Sequence, residues 1–201
     1  MVSTHTYHDI CRQIRLLTRE LRRVVVAIDG GSAGGKSTLA ARLAREFGGQ
    51  VIPMDDFFLP AARRAPRDSS PPGGHMDYER FCAEVVTPLR RGEPPAWGVF
   101  DCADQAVTHT KTLPPAPLYL VEGAYATHPD IPDIYDLRIF VRVDGQTQRR
   151  RLTEREGSGA RRFFEEWIPR ENAYFAAYMT EQLADMVYVG SAQDTETEDE
   201  S

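Results

Sequence analysis

GGSAGGKST, at residues 30–38, decides the reading of this chain. Gly30 to Ser37 fits the pattern G-x-x-x-x-G-K-[ST], with Thr38 next. The apolar, β-branched run VVVAID (24–29) precedes it and reads as a strand buried on both faces. Leu39, Leu43 and Phe47 follow at helical spacing, up to Gly48-Gly49. A strand, a glycine loop and a helix form the context in which the pattern denotes a phosphate-binding loop. Glycines let the backbone curl until successive N–H groups converge on phosphate oxygens. The positive end of the following helix adds to that field. Gly30, Gly31, Ser32, Ala33, Gly34, Gly35, Lys36, Ser37 and Thr38 are therefore the candidate ATP-binding residues. Within them, Ser37 offers a hydroxyl to Mg²⁺, and Thr38 reaches a phosphate nearer the sugar.

Lys36 is one of only two lysines beside 22 arginines. A compact ammonium can fold back over the loop to the β- and γ-phosphates, where a planar, forked guanidinium needs a different geometry. The residue type at position 36 thus follows from the ligand. No N-K-x-D guanine-reading motif occurs, and the apolar run LYLVEG (118–123) ends its hydrophobic part at Glu122, where motor-type ATPases place an aspartate.

Composition sets wider limits. The chain has 201 residues, 41% hydrophobic and 27% charged, ordinary for a soluble domain. No apolar run approaches the roughly 20 residues a membrane span needs, and the opening MVSTHTYHDICRQIRLL has no signal-peptide core. Three scattered cysteines, Cys11, Cys82 and Cys102, read as reduced thiols and set the expectation of a cytoplasmic protein without a zinc site. Cys82 and Cys102 are expected to be small core residues. Of the net charge of −6, five units lie in the last eleven residues, SAQDTETEDES, which are expected to be disordered. The near-neutral remainder gives no electrostatic case for binding nucleic acid.

Beyond the loop, Ile10, Ile14, Leu17 and Leu21 predict a helix over residues 7–22 that packs on the sheet edge or forms a homodimer contact. VIPMD (51–55), LRIFVRV (137–143) and MVYVG (186–190) join the two apolar runs above as strands, giving five. Helices are expected at 77–91 and, broken at Gly157-Ser158-Gly159 and disturbed by Pro169, over 146–185. Residues 96–110 read as a pair of short strands. Alternating strands and helices indicate an α/β fold with a mainly parallel sheet. In such sheets ligands bind beyond the carboxyl ends of the strands. Asp55, Asp56 and Glu122 stand there, suited to hold Mg²⁺ through water or to take a proton from an acceptor hydroxyl. The competing reading has the three acids merely capping the turns that follow.

GGSAGGKST, MDDFFLP, LYLVEG and the run RRRLTEREGSGARR (149–162), in this order, resemble the uridine kinase and phosphoribulokinase group of P-loop kinases. MDDFFLP is also similar to a stretch of nicotinamide riboside kinases. GGHMDYERF, FDC, VEGAYATHP, YDLRIF and EEWIPRENAYF resemble bacterial uridine-kinase-like proteins, so the likeness spans about residues 24–190. It implies a P-loop three-layer α/β/α sandwich with a five-stranded sheet, one domain over 1–190 and a helical lid at about 146–165. It implies ATP and Mg²⁺ as cofactors, Asp55 as general base, Glu122 as the acid that helps hold Mg²⁺, and Arg151 and Arg155 as lid arginines. Asp56, Phe58, His75, Asp77, Tyr78, Asp101 and Arg162 are the acceptor-side candidates. The activity it implies is phosphoryl transfer from ATP to a hydroxyl of a small molecule, foremost the 5′-hydroxyl of a nucleoside. Nicotinamide riboside, pantothenate or a phosphosugar stand as other acceptors, and an ATP-sensing module without kinase activity as the rival class. Uridine kinases carry a Tyr-Asp-Phe hairpin motif followed by histidine; this chain has Phe100-Asp101-Cys102, with His109 further on. Asp77 also reads as a helix cap, His128 as structural, and Phe163 and Trp167 as packing for the lid.

Overall fold

Alternation along the second strand assigns the layers. The computed structural model describes residues 3–66 and 70–190; the acidic tail expected to be disordered lies outside them. In β2 (Val24–Gly30) every residue is buried, as a strand covered on both faces requires. Val24, Val26 and Ile28 pack with Ile10 and Ile14 of α1 (Tyr7–Glu20) and with Leu39 and Leu43 of α2 (Lys36–Phe47). Val25 and Ala27 face the other way, toward Phe81 of α3 (Tyr78–Phe81), Leu89 of α4 (Thr87–Arg90) and Tyr174 of α7 (Ile168–Tyr178). A period of two thus feeds two separate cores, one on each side of the sheet. The expected α/β/α sandwich is present.

Among the described residues the sheet has six strands, not five, in the order β1-β8-β7-β2-β6-β3, and every adjacent pair is parallel. The others are β3 (Gln50–Pro53), β6 (Leu118–Glu122), β7 (Leu137–Arg142) and β8 (Met186–Val189). The addition is β1 (Thr4–His5), an edge strand of two residues paired with β8. Two residues carry no hydrophobic periodicity, so the sequence offered no sign of it. A hairpin, β4 (Ala96–Asp101) with β5 (Ala106–Thr112), stands apart as a two-stranded sheet.

The helices differ in detail from the expected spans. α1 starts at a capping box, in which Thr6 accepts from the Asp9 amide and the Asp9 carboxylate accepts from the Thr6 amide. It ends at Glu20, leaving Leu21 extended and exposed. The stretch 146–185 resolves into α5 (Gly145–Glu156), α6 (Ala160–Arg162) and α7, with a π turn at Phe163–Trp167. Pro169 falls in the first turn of α7, directly after that π turn, where a missing N–H is tolerated. Met179, in the left-handed conformation, closes the helix before residue 185.

Candidate active site

The glycines of the loop are fixed by close approaches. At Gly30, φ is +141° and an added Cβ would sit 2.3 Å from the Val141 carbonyl oxygen of β7, so only glycine fits. Gly35, at φ +100°, turns the chain into α2. Lys36 folds back and donates from Nζ to the Gly31 carbonyl at 2.9 Å, the inward course predicted for it.

Around this loop lies a polar frame. Beneath it, Asp29 is buried and accepts from the Gly30 amide (2.7 Å), the Thr127 amide and hydroxyl (3.0 and 2.7 Å) and the Tyr174 hydroxyl (2.7 Å). Glu171 of α7, also buried, accepts from the Ser32 amide at 2.9 Å and from the Ser32 hydroxyl. Gln148 of α5 donates to the Ser32 carbonyl at 2.8 Å, and Arg151 donates to the Ala33 carbonyl at 3.2 Å. Lid, core helix and loop are therefore one bonded unit. Asp29 was visible as an acid ending an apolar strand; Glu171 lay in a mixed helical stretch and gave no signal.

One cavity of about 400 Å³ collects most of the donor-side candidates: Ser32 to Thr38 of the loop, Asp55, Glu122, Arg151 and Arg155 all line it. Gly30, the last residue of β2, and Gly31 are not among its lining residues. Asp55 stands in a short 3₁₀ turn, Met54–Phe57, just past β3, and Glu122 is the last residue of β6. Ser37 Oγ lies 3.2 Å from both Glu122 oxygens. Asp55 is open to solvent through the cleft but crowded by protein on its other sides. That loss of hydration pushes its carboxyl above the usual carboxylate range; Lys36 and Arg155 oppose the rise and Asp56 adds to it. Burial likewise raises Glu122, against Lys36 and with Asp55, and raises Glu171, against its Ser32 hydrogen bonds and Lys36.

This donor set fits Mg²⁺. Among the described residues no three His, Cys, Asp or Glu side chains cluster tightly enough to cage a metal. Mg²⁺ does not need such a cage, since it is held through one or two carboxylates, its own waters and substrate phosphates. Ser37 Oγ beside Glu122, with Asp55 lining the same cavity, supplies that kind of site.

The acceptor-side candidates part company. Phe58 and His75 meet, rings stacked at 5.7 Å, and Trp167 lies 5.9 and 5.6 Å from them. Trp167 also lies beneath the Arg162 and Arg170 guanidiniums, in keeping with the lid packing expected of it, and Phe163 lines the loop cavity. His75 is buried with its Nε2 unbonded, and it touches Tyr125 edge-on at 4.6 Å, whose buried hydroxyl also lacks a partner among the described residues. Burial, then Arg170 and Arg64, hold the His75 pKa down to about 3, so the ring is neutral. His75, Arg64 and Arg170 line a second cavity of about 280 Å³.

The remaining candidates hold structure. Asp56 accepts from the Trp97 indole at 2.7 Å. Asp77 caps α3, accepting from the Arg80 amide at 3.1 Å. Tyr78 is buried against His128 at 4.1 Å and donates to the Gly73 carbonyl. His128 reaches the Pro72 carbonyl at 3.1 Å, the structural role expected of it. Asp101 accepts from the Ala103 and Asp104 amides and shapes the β4–β5 turn. Arg162 pairs with Glu166 at 3.2 Å and lies over Trp167, and it does not line the nucleotide cavity. Cys82 is half-buried and packs against the core, near the place expected of it, whereas Cys102 is exposed at the β4–β5 turn and is not a core residue.

No protein-family model matches the chain. Among solved structures it is similar to a protein described as a possible uridine kinase from Bacillus stearothermophilus, with a TM-score of 0.64 and 18% identity over 90% of this chain and 99% of that one. A candidate fructose transport system kinase from Silicibacter superposes with a TM-score of 0.58 and 23% identity, over 92% of this chain and 98% of that one. A Saccharomyces cerevisiae protein described as a candidate P-loop kinase with a circular permutation gives 0.63 and 13%, over 91% and 98%. At these identities the likeness is one of fold over nearly whole chains. The six parallel strands, the phosphate loop between β2 and α2 and the helices above it thus give this chain the fold of the uridine-kinase-like P-loop kinases.

Proposed function

We propose that the protein is an ATP-dependent kinase that transfers the γ-phosphoryl group to a hydroxyl of a small molecule, foremost the 5′-hydroxyl of a nucleoside or related riboside. The observation that carries this reading is the meeting of Asp55, Glu122, Lys36 and two lid arginines in one cavity with the phosphate loop. In the transfer, the acceptor oxygen forms a bond to the γ-phosphorus as the bond to the β–γ bridging oxygen breaks, and ADP leaves. Asp55 takes the hydroxyl proton; its raised pKa makes it a better base than a solvated carboxylate. Lys36, Arg151 and Arg155 offset negative charge on the phosphoryl group as it moves. Ser37 and Glu122 would hold Mg²⁺, which would supply further charge neutralisation on the phosphate oxygens.

A second reading of the acceptor is favoured by one feature: Arg64 and Arg170 line the cavity beside His75. Two guanidiniums next to a neutral imidazole suit an acceptor with an anionic group, such as a phosphosugar or pantothenate. Mass-spectrometric phosphotransfer with Mg²⁺-ATP and a mixed panel of nucleosides, ribosides, phosphosugars and vitamins tests both. A phosphorylated product names the acceptor. If no panel member stimulates ATP turnover, the kinase reading fails and an ATP-sensing module takes its place.

A further inference from the structure

We propose that the N-terminal unit, β1 with α1, completes the nucleotide site by presenting the Tyr7 ring and the Arg42 guanidinium as a stacking platform for the nucleobase. The proposal rests on the kinase reading above. The nucleotide cavity does not end at the loop. It continues past Thr38 to a wall made of Tyr7, Leu39, Arg42, Tyr188 and Gly190. Lys36, Asp55 and Glu122 stand within electrostatic reach of one another in the same cavity, where the γ-phosphate belongs. Thr38 faces the phosphate nearest the sugar, so ribose and base leave the loop toward the Tyr7 wall. Arg42 lies one helical turn beyond Thr38, on the same face of α2.

Tyr7 and Arg42 lie against each other. The Arg42 Cζ lies 3.6 Å from the centre of the Tyr7 ring, a stacked cation–π contact. Tyr7 is held in place from behind, its hydroxyl donating to Glu46 at 2.7 Å, and Glu46 also pairs with Arg15 at 2.5 Å. Burial, with Glu46 beside it, pushes the Tyr7 hydroxyl well above its ordinary range, so it remains a neutral donor. The edge strand sets the wall's position. His5 of β1 lies opposite Tyr188 in the β1–β8 register, and its Nδ1 accepts from the Val187 amide at 3.2 Å. The capping box at Thr6 then turns the chain so that Tyr7 opens α1. One pairing of two residues thus places both Tyr7 and Tyr188 at the cavity rim. Aromatic and guanidinium planes recognise nucleobases by their π-faces. A bare phosphate chain has no π-face, so it gains nothing from the Tyr7 ring.

Calorimetric titration of the full chain with Mg²⁺-ATP and, separately, with Mg²⁺-tripolyphosphate separates base from phosphate. The wild type is expected to bind ATP more tightly than tripolyphosphate. Tyr7→Ala and Arg42→Lys are each expected to weaken ATP binding about tenfold, the size of one lost base stack, and to leave tripolyphosphate binding as it was. Tyr7→Phe, which keeps the ring, is expected to retain most ATP affinity and serves if Tyr7→Ala does not fold. Wild-type ATP affinity in both Tyr7→Ala and Arg42→Lys, or equal losses for ATP and tripolyphosphate, overturns the platform while leaving the kinase reading intact. A wild type that binds neither ligand overturns the kinase reading and the platform with it.

Discussion

On the proposed kinase reading, the donor and acceptor halves of the cleft are built on opposite plans. On the donor side, polar groups hold one another: Asp29 under the loop, Glu171 on Ser32, Gln148 and Arg151 on loop carbonyls. On the acceptor side, rings crowd together, Phe58, His75, Tyr125 and Trp167, and two buried polar atoms lack a partner among the described residues. The contrast reflects what each half must recognise. A phosphate chain is the same in every nucleotide, so a preorganised backbone loop with fixed charges serves it. In the proposed reaction, a specific acceptor needs a more particular surface than a phosphate chain does. Unpaired buried polar atoms are costly, and His75 Nε2 and the Tyr125 hydroxyl place that cost on the acceptor half.

The sharpest way to break this contrast is at Asp55, where the halves meet. Asp55→Asn is expected to lower kcat by about 10²–10⁴-fold, the usual contribution of a general base, while ATP binding persists. Coupled ADP-release kinetics with calorimetry read both; a parallel loss of ATP affinity would make Asp55 part of the donor site alone. Next in size is Glu171→Ala, which strips the Ser32 amide and hydroxyl of their buried acceptor. It is expected to cost about 1.5–3 kcal/mol, seen as a lower denaturation midpoint. Glu171→Gln, which keeps one acceptor oxygen, is expected to lose less. Unchanged stability in both would show that the donor frame is not the rigid half.

A pH titration sharpens the acceptor side. The folded chain holds His75 down at about 3, below its ordinary value in an unfolded chain of about 6.5. Below that ordinary value the unfolded chain takes the proton first, so His75 erodes stability as pH falls toward 3, by up to about 1.4 kcal/mol per unit. The raised carboxylates Asp55, Glu122 and Glu171 act with the opposite sign, and the lowered His128 with the same sign. They are common to wild type and variant. The stability difference between wild type and His75→Gln should therefore be flat above about pH 6.5 and shift against the wild type below it. A difference independent of pH down to 5 would mean that His75 is not held neutral. The smallest effect lies at the start of α1. Thr6→Ala removes the cap of α1 and is expected to cost about 1 kcal/mol by thermal denaturation, with no change in acceptor KM.

Legibility followed the same division. The loop was readable because a phosphate site needs contiguous residues: glycines where the backbone bends, a lysine at one spacing, a hydroxyl next to it. Strand ends were readable too, since a parallel sheet gathers them on one edge, and Asp55 and Glu122 indeed line the nucleotide cavity. On the acceptor side the sequence named residues without separating site from support. Asp77, Tyr78 and Asp101 carry the same chemistry as ligand contacts, yet caps, stacks and turn bonds occupy them. Cys102 read as core because cysteine is usually buried, but it falls on an exposed hairpin turn.

By itself the sequence determined the strand–loop–helix unit at residues 24–47, the parallel α/β class and the carboxylates near the phosphate end. These depend on local spacing and on a period of two or 3.6 residues, which survive in one dimension. Only the tertiary structure decided the sixth strand, the seating of Ser32 on Glu171, the aromatic chamber around His75 and the place of Tyr7 beside Arg42. Each joins residues tens of positions apart through packing, and no periodicity in the chain records which distant side chains will meet.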